Sequence, residues 1–180
     1  MLKGLFGANR QGRRDDAELG KGVWRRAHDR FRRGLDRFHQ MLEGLEADAM
    51  ALVQDATAPV QGATASAQET RNARDNYARL VPVANSLADL LPEVRRIAAW
   101  AQSLAPSEGM DIPFGAGGYL NDVHRELSRA GNALATAAES VAMLRLGAGD
   151  MAAVERRSGT VHQHVNRARE LLEKNHAVGK

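Results

Sequence analysis

The sequence predicts an all-α chain, an up-and-down antiparallel four-helix bundle, and three observations carry that expectation. Four long stretches place apolar residues at alternating steps of three and four, the spacing that keeps one stripe of a helix against a neighbour. No stretch alternates apolar and polar residues for long enough to make a strand. Pro and Gly punctuate the intervals between the four stretches, and short connectors favour antiparallel neighbours.

The first helix is expected over residues 16–57. Its seam is Trp24, His28, Phe31, Leu35, Phe38, Leu42, Leu45, Ala49, Leu52 and Ala56. Asp15 followed by Glu18 resembles a capping box and sets the start near residue 16. Gly20 and Gly22 weaken that first turn, so a start near Val23 is the alternative.

TAPVQGATAS (57–66) then breaks the pattern, and Ser66 with Glu69 makes a second capping box for a helix over 66–104. Its seam runs Ala73, Tyr77, Leu80, Ala84, Leu87, Leu91, Val94, Ala98, Ala101. Pro82 and Pro92 fall inside it, and each removes a backbone donor and crowds the preceding turn. A helix bent near Pro82 and Pro92, or two segments in one apolar phase, is expected.

The longest aperiodic stretch, APSEGMDIPFGAGG (105–118), precedes a third helix over 118–146. Leu120, Val123, Leu127, Ala130, Leu134, Ala137, Val141 and Leu144 share one of its faces. GAGD (147–150) stops that helix and offers Asp150 as cap for a fourth over 150–176, with Val154, Val161, Val165, Ala168 and Leu172 facing inward. Ser158-Gly159-Thr160 marks a local break in it. The organisation is thus a flexible basic leader (1–14), one helical domain (15–177) and a short tail (178–180).

The first two helices are about ten residues longer than the last two, so their hairpin tip near residues 50–70 is expected to project by roughly 15 Å. Small residues face each other there: Ala49, Ala56, Ala67, Ala73. A second copy of the chain packing on that tip would make a homodimer.

Composition narrows the chemistry. The 180 residues contain no cysteine, which excludes disulfides, thiolate metal sites and cysteine nucleophiles, and suits a reducing, cytoplasmic location. Aromatic residues are only 4% of the chain, and much of its apolar content is alanine, which brings helices close together. No uninterrupted apolar run reaches the length of a membrane span, and the opening MLKGLFGANRQGRR is too short in apolar residues for a secretory signal.

The net charge of +3 conceals an asymmetry: residues 1–40 hold 11 Lys and Arg against 5 Asp and Glu, whereas the rest holds 14 against 17. Arginine outnumbers lysine 21 to 4, a bias that phosphate recognition and a GC-rich genome both produce. On a helical wheel Arg26, Arg30, Arg33 and Arg37 form a stripe opposite the seam, while Arg25 and Arg32 flank the seam. The stripe is a candidate surface for nucleic acid or an anionic membrane, aided by Lys3, Arg10, Arg13 and Arg14 of the leader. Asp29 is expected to pair with Arg33 or Arg26, and Asp36 with Arg32 or Arg33, which makes a solvated face the simpler reading. Zinc-finger, helix-turn-helix and RNA-recognition signatures are absent from the sequence.

Six histidines raise the question of metal. A bundle di-metal centre needs two Glu-x-x-His pairs, and only Glu173–His176 fits, with Asp36–His39 a poor second, so no metal and no cofactor are expected. In the predicted arrangement one bundle end collects Trp24, Arg25, His28 and His124 beneath Gly117 and Gly118, a candidate small-anion pocket at a helix start. The glycines lack the Lys and Ser or Thr of a nucleotide P-loop, and no serine sits in a nucleophile elbow. The expected function is therefore a non-catalytic helical interaction module that contacts a protein partner or itself. The alternatives are an electrostatic binder using the arginine stripe and a small-anion site at the Trp24/His28/Gly117 end.

Overall fold

A computed structural model describes residues 12–56, 63–114 and 117–178. Helix accounts for 86% of the structure, and the described residues contain no strand. Five helices pack against one another: α1 (Val23–Ala56), α2 (Ala63–Ala88), α3 (Leu90–Leu104), α4 (Tyr119–Arg145) and α5 (Met151–Val178). A helical segment over 12–19 precedes them. Residues 12–14, expected in a flexible leader, belong to that segment. The rest of the leader, with Lys3 and Arg10, and residues 179–180 of the tail lie outside the described residues.

The count is five rather than four because the second predicted helix divides at Asp89. The Asp89 amide donates to the Asn85 carbonyl at 3.0 Å, closing α2, and α3 opens at Leu90. Pro92 explains the position: it has no N–H for the Ala88 carbonyl and its ring presses on that carbonyl, whereas in the first turn of a new helix its missing donor costs nothing. Pro82 stays within α2. Both Pro82 and Ala78, whose carbonyl loses its partner, lie on the exposed side of α2, where an interrupted helix bond costs least.

Other ends follow their sequence signals to different degrees. α1 starts at Val23 because Gly20 takes a left-handed φ of 64° and separates it from the 12–19 segment. α2 begins at Ala63, so Ser66 lies inside it instead of capping it. α4 ends in a Schellman motif, with Ala148 N–H on the Met143 carbonyl, Gly147 N–H on the Leu144 carbonyl, and Gly147 at φ 69°. Asp150 caps α5 by accepting the Ala153 amide at 2.6 Å. The break expected at Ser158–Thr160 does not form; α5 runs straight through it.

Residue pairs give the directions. Trp24 meets His124, Gly34 faces Leu134 and Asp48 pairs with Arg145, so α4 runs parallel to α1 at its side. Tyr77 lines one groove with Glu46 and Trp24 bonds the Ala105 carbonyl, so α2 and α3 descend the other flank of α1. α5 returns antiparallel to α4 through Glu126–His164, and lies along α2 through Arg79–Glu155 and Ser86–His162. In an up-and-down arrangement the third rod would sit beside the second; here α4 packs on α1 and α5. The physical reason is the connection over 105–118, long enough to pass round the start of α1 and deliver α4 to its far side.

The α1–α4 approach is close. A Cβ on Gly34 would stand 3.2 Å from Leu134 Cγ, and one on Gly131 would stand 3.1 Å from the Arg30 stem. One apolar core runs from Leu19 to Leu172, and Trp24, Phe31 and Phe38 on α1 are its largest fully enclosed side chains. Beyond the Asp48–Arg145 pair, α1 continues eight residues to Ala56, roughly 12 Å, with α4 already ended. The side chains of Ala56 and Ala67 at the predicted tip are outside the described residues.

Candidate functional site

Three places collect chemically distinctive residues. The first is the start of α1. The Asp15 carboxylate, only 1% exposed, accepts Arg95 Nη1 at 2.6 Å and lies 3.9 Å from Arg25 Nη2. Glu18 accepts both Nε (3.0 Å) and Nη2 (2.7 Å) of Arg95. Arg25 also holds Asp16 and Asp29, each at 2.7 Å. Asp15 lies inside the 12–19 segment instead of capping a helix near residue 16, and it and Glu18 turn toward a guanidinium on α3. Their spacing of three puts both on one helix face. A carboxylate this enclosed is tolerable only because cations face it.

His28 is buried beside this network, with Nδ1 3.1 Å from Asp29 Oδ1. Burial pushes its pKa down, and the opposing pull of Asp29 does not restore it. His124 is edge-on to Trp24, with ring centroids 5.9 Å apart. Burial lowers its pKa too, with the Arg30 and Arg26 cations adding to the shift. Trp24 is fully enclosed and donates its indole N–H to the Ala105 carbonyl at 3.1 Å.

The candidate small-anion residues are thus partly gathered. Trp24 and His124 touch, and Arg25 and His28 share Asp29, but Gly117 and Gly118 form a left-handed turn (φ 79° and 71°) around which a Cβ would meet nothing within 4 Å. Three carboxylates surround Arg25, which repels an anion, and Asp122 already occupies the first turn of α4.

The second place is the arginine stripe. Arg26, Arg30, Arg33 and Arg37 are all exposed. Arg26 donates to the Gly109 carbonyl, and the methylenes of Arg30 lie over Gly131. The expected neutralising pairs do not form: Asp29 is taken by Arg25, and Asp36 makes no ion pair among the described residues. Sequence reasoning missed this because Arg25, four residues before Asp29, flanks the seam and lies off the stripe whose pairing was in question.

The third place is the projecting end of the α1–α2 hairpin. Glu46, Ala49, Met50, Val53, Arg74 and Tyr77 line an open groove of about 400 Å³ between the two helices. Met50 is 57% exposed within it. The neighbouring Glu46 carboxylate, with some burial, raises the Tyr77 phenol pKa.

Elsewhere, polar pairs tie helices together. Glu126 accepts His164 Nδ1 at 2.7 Å and Arg129 Nη1 at 2.6 Å; burial works to raise its pKa, but these bonds outweigh burial and hold it below the usual range. Ser86 Oγ donates to the Val83 carbonyl and meets His162 Nε2 at 3.3 Å. With its proton committed to a carbonyl, that hydroxyl is not set up as a nucleophile. Among the described residues no three His, Asp or Glu side chains gather as a metal site, and no helix is long and apolar enough to cross a membrane. The His176 side chain lies outside those residues. Compared with known protein families, curated proteins and solved structures, the chain matches no family model, no curated protein and no solved structure.

Proposed function

We propose that this chain is a non-catalytic interaction module that forms a homodimer through the projecting end of its α1–α2 hairpin. In this reading α2 and α3 act end to end as one rod of a four-rod bundle, and the first two rods outreach the other pair. The observation that carries the proposal is the open groove at that end, where Met50, Val53 and Tyr77 leave apolar surface facing solvent. The groove also carries Glu46 and Arg74, opposite charges on facing helices. A twofold axis through it would set each Glu46 against the partner copy's arginine and Met50 against Met50, the self-complementarity an isologous interface requires.

Sedimentation equilibrium over micromolar concentrations tests this. The wild-type chain should show a reversible dimer, and Met50→Glu should shift it to monomer with unchanged helix content by circular dichroism. A wild-type chain that stays monomeric throughout, or a dimer indifferent to Met50→Glu, would overturn the proposal.

A further inference from the structure

We infer that the outer face of α1, together with residues 105–114 of the crossover loop, docks on an anionic lipid surface. Two independent features coincide there. One is charge without compensation: Arg26, Arg30, Arg33 and Arg37 have no carboxylate within ion-pair distance among the described residues, whereas Arg25, Arg79, Arg95 and Arg145 each have at least one. The stripe runs from Arg26 to Arg37 on α1, eleven helical steps or about 16 Å. The other is apolar exposure: Met110 is 75% and Phe114 78% exposed, with Leu146 the most exposed large apolar side chains among the described residues.

The loop's anchoring brings these features together. Val23 N–H donates to Ser107 Oγ at 3.2 Å, Trp24 holds the Ala105 carbonyl, and Arg26 donates to Gly109 O, immediately before Met110. Ile112 is half-buried against the core, which fixes the loop while its neighbours face outward. Met110 therefore stands beside the Arg26 end of the stripe, and Phe114 follows four residues on in the same loop, likewise exposed.

A lipid surface fits both features at once. Guanidiniums attract anionic headgroups, and a Met and a Phe at the rim enter the acyl boundary without any span. Nucleic acid would use the arginines, but on the stripe itself no aromatic is presented for stacking; Phe31 and Phe38 are enclosed in the core. This face is separate from the hairpin groove and does not depend on dimerisation through it.

The test is vesicle co-sedimentation of the full chain, with phosphatidylcholine alone and with about 30% phosphatidylglycerol added, in low and high salt. Binding should require the anionic lipid and vanish at about 0.5 M salt. Arg33→Gln with Arg37→Gln should weaken it about 30-fold, from roughly fivefold per surface arginine. Met110→Ser with Phe114→Ser should weaken it about tenfold. All four side chains are exposed, so unchanged thermal melts serve as the folding control. Equal binding to neutral vesicles, or anionic binding untouched by either double variant, would overturn the inference. So would an arginine-dependent affinity for duplex DNA with no vesicle binding.

Discussion

Gly22→Ala asks whether the crossover loop is locked to the start of α1. A Cβ at Gly22 would collide with Ser107 Oγ and with the Ser107 carbonyl carbon and oxygen. Backbone cannot swing aside as a side-chain tip can, and Ser107 is held further by its amide on Gln102 Oε1 at 3.0 Å. Relief requires moving the loop, which breaks the Val23 N–H to Ser107 Oγ bond. Overpacking of this kind costs about 1–3 kcal/mol, and the lost buried hydrogen bond about 1 kcal/mol more. Alanine recovers about 0.5 kcal/mol by restricting the unfolded chain. The net expectation is a loss of about 1.5–3.5 kcal/mol. Urea unfolding should show it as a lower midpoint at an unchanged slope. Gly109→Ala, whose added Cβ would meet nothing within 4 Å, is the control and should stay within about 0.5 kcal/mol. A Gly22→Ala chain as stable as the control would refute the close contact on which this reasoning rests.

Three further outcomes follow from the same packing. Asp15→Asn leaves Arg95 without its most buried partner and should cost about 2–3 kcal/mol in urea unfolding; additive losses for Asp15→Asn and Arg95→Gln in a double-mutant cycle would deny the coupling. Phe38→Ala, at a fully enclosed site, should cost about 3–5 kcal/mol, and a loss under 1 kcal/mol would mean the seam is not the core. His28 and His124 have folded pKa values below the unfolded value, so the unfolded chain binds their protons first. Stability they support is present above about pH 6.5 and is lost as pH falls through their lowered values. Glu126 and Glu93, also lowered, add a second loss only below about pH 4.5. Thermal melts from pH 8 to 4 should show the histidine loss first, and His124→Gln should shrink it; a flat profile between pH 7 and 5 would contradict the burial of both rings.

Periodicity carried most of the fold. Phe31, Leu35, Phe38, Leu42 and Leu45 are buried as their spacing required, and so are the inward positions of α4 from Leu120 to Val141 and of α5 from Val154 to Leu172. Near chain ends the signal weakened: Leu144 is only half-buried, because α5 does not begin until Met151. The order of the helices was not legible, since periodicity names a face but never the element it meets. The long aperiodic 105–118 stretch held the clue, as only a long connection reaches a non-sequential neighbour. The Asp15–Arg95 pair was equally hidden, being set by tertiary contact across 80 positions. The stripe could be placed on the outside from the wheel alone, but its lack of acidic partners depended on rotamers, through Asp29 turning to Arg25.

The path of the 105–118 connection has a consequence for how the molecule comes apart. It joins two halves, α1 to α3 and α4 to α5, and each half lends the other the wall it lacks. A single proteolytic nick at Glu108, which is exposed, severs no helix. The two fragments should remain associated until denaturant separates them, and mixing them afterwards should restore the helical signal through fragment complementation.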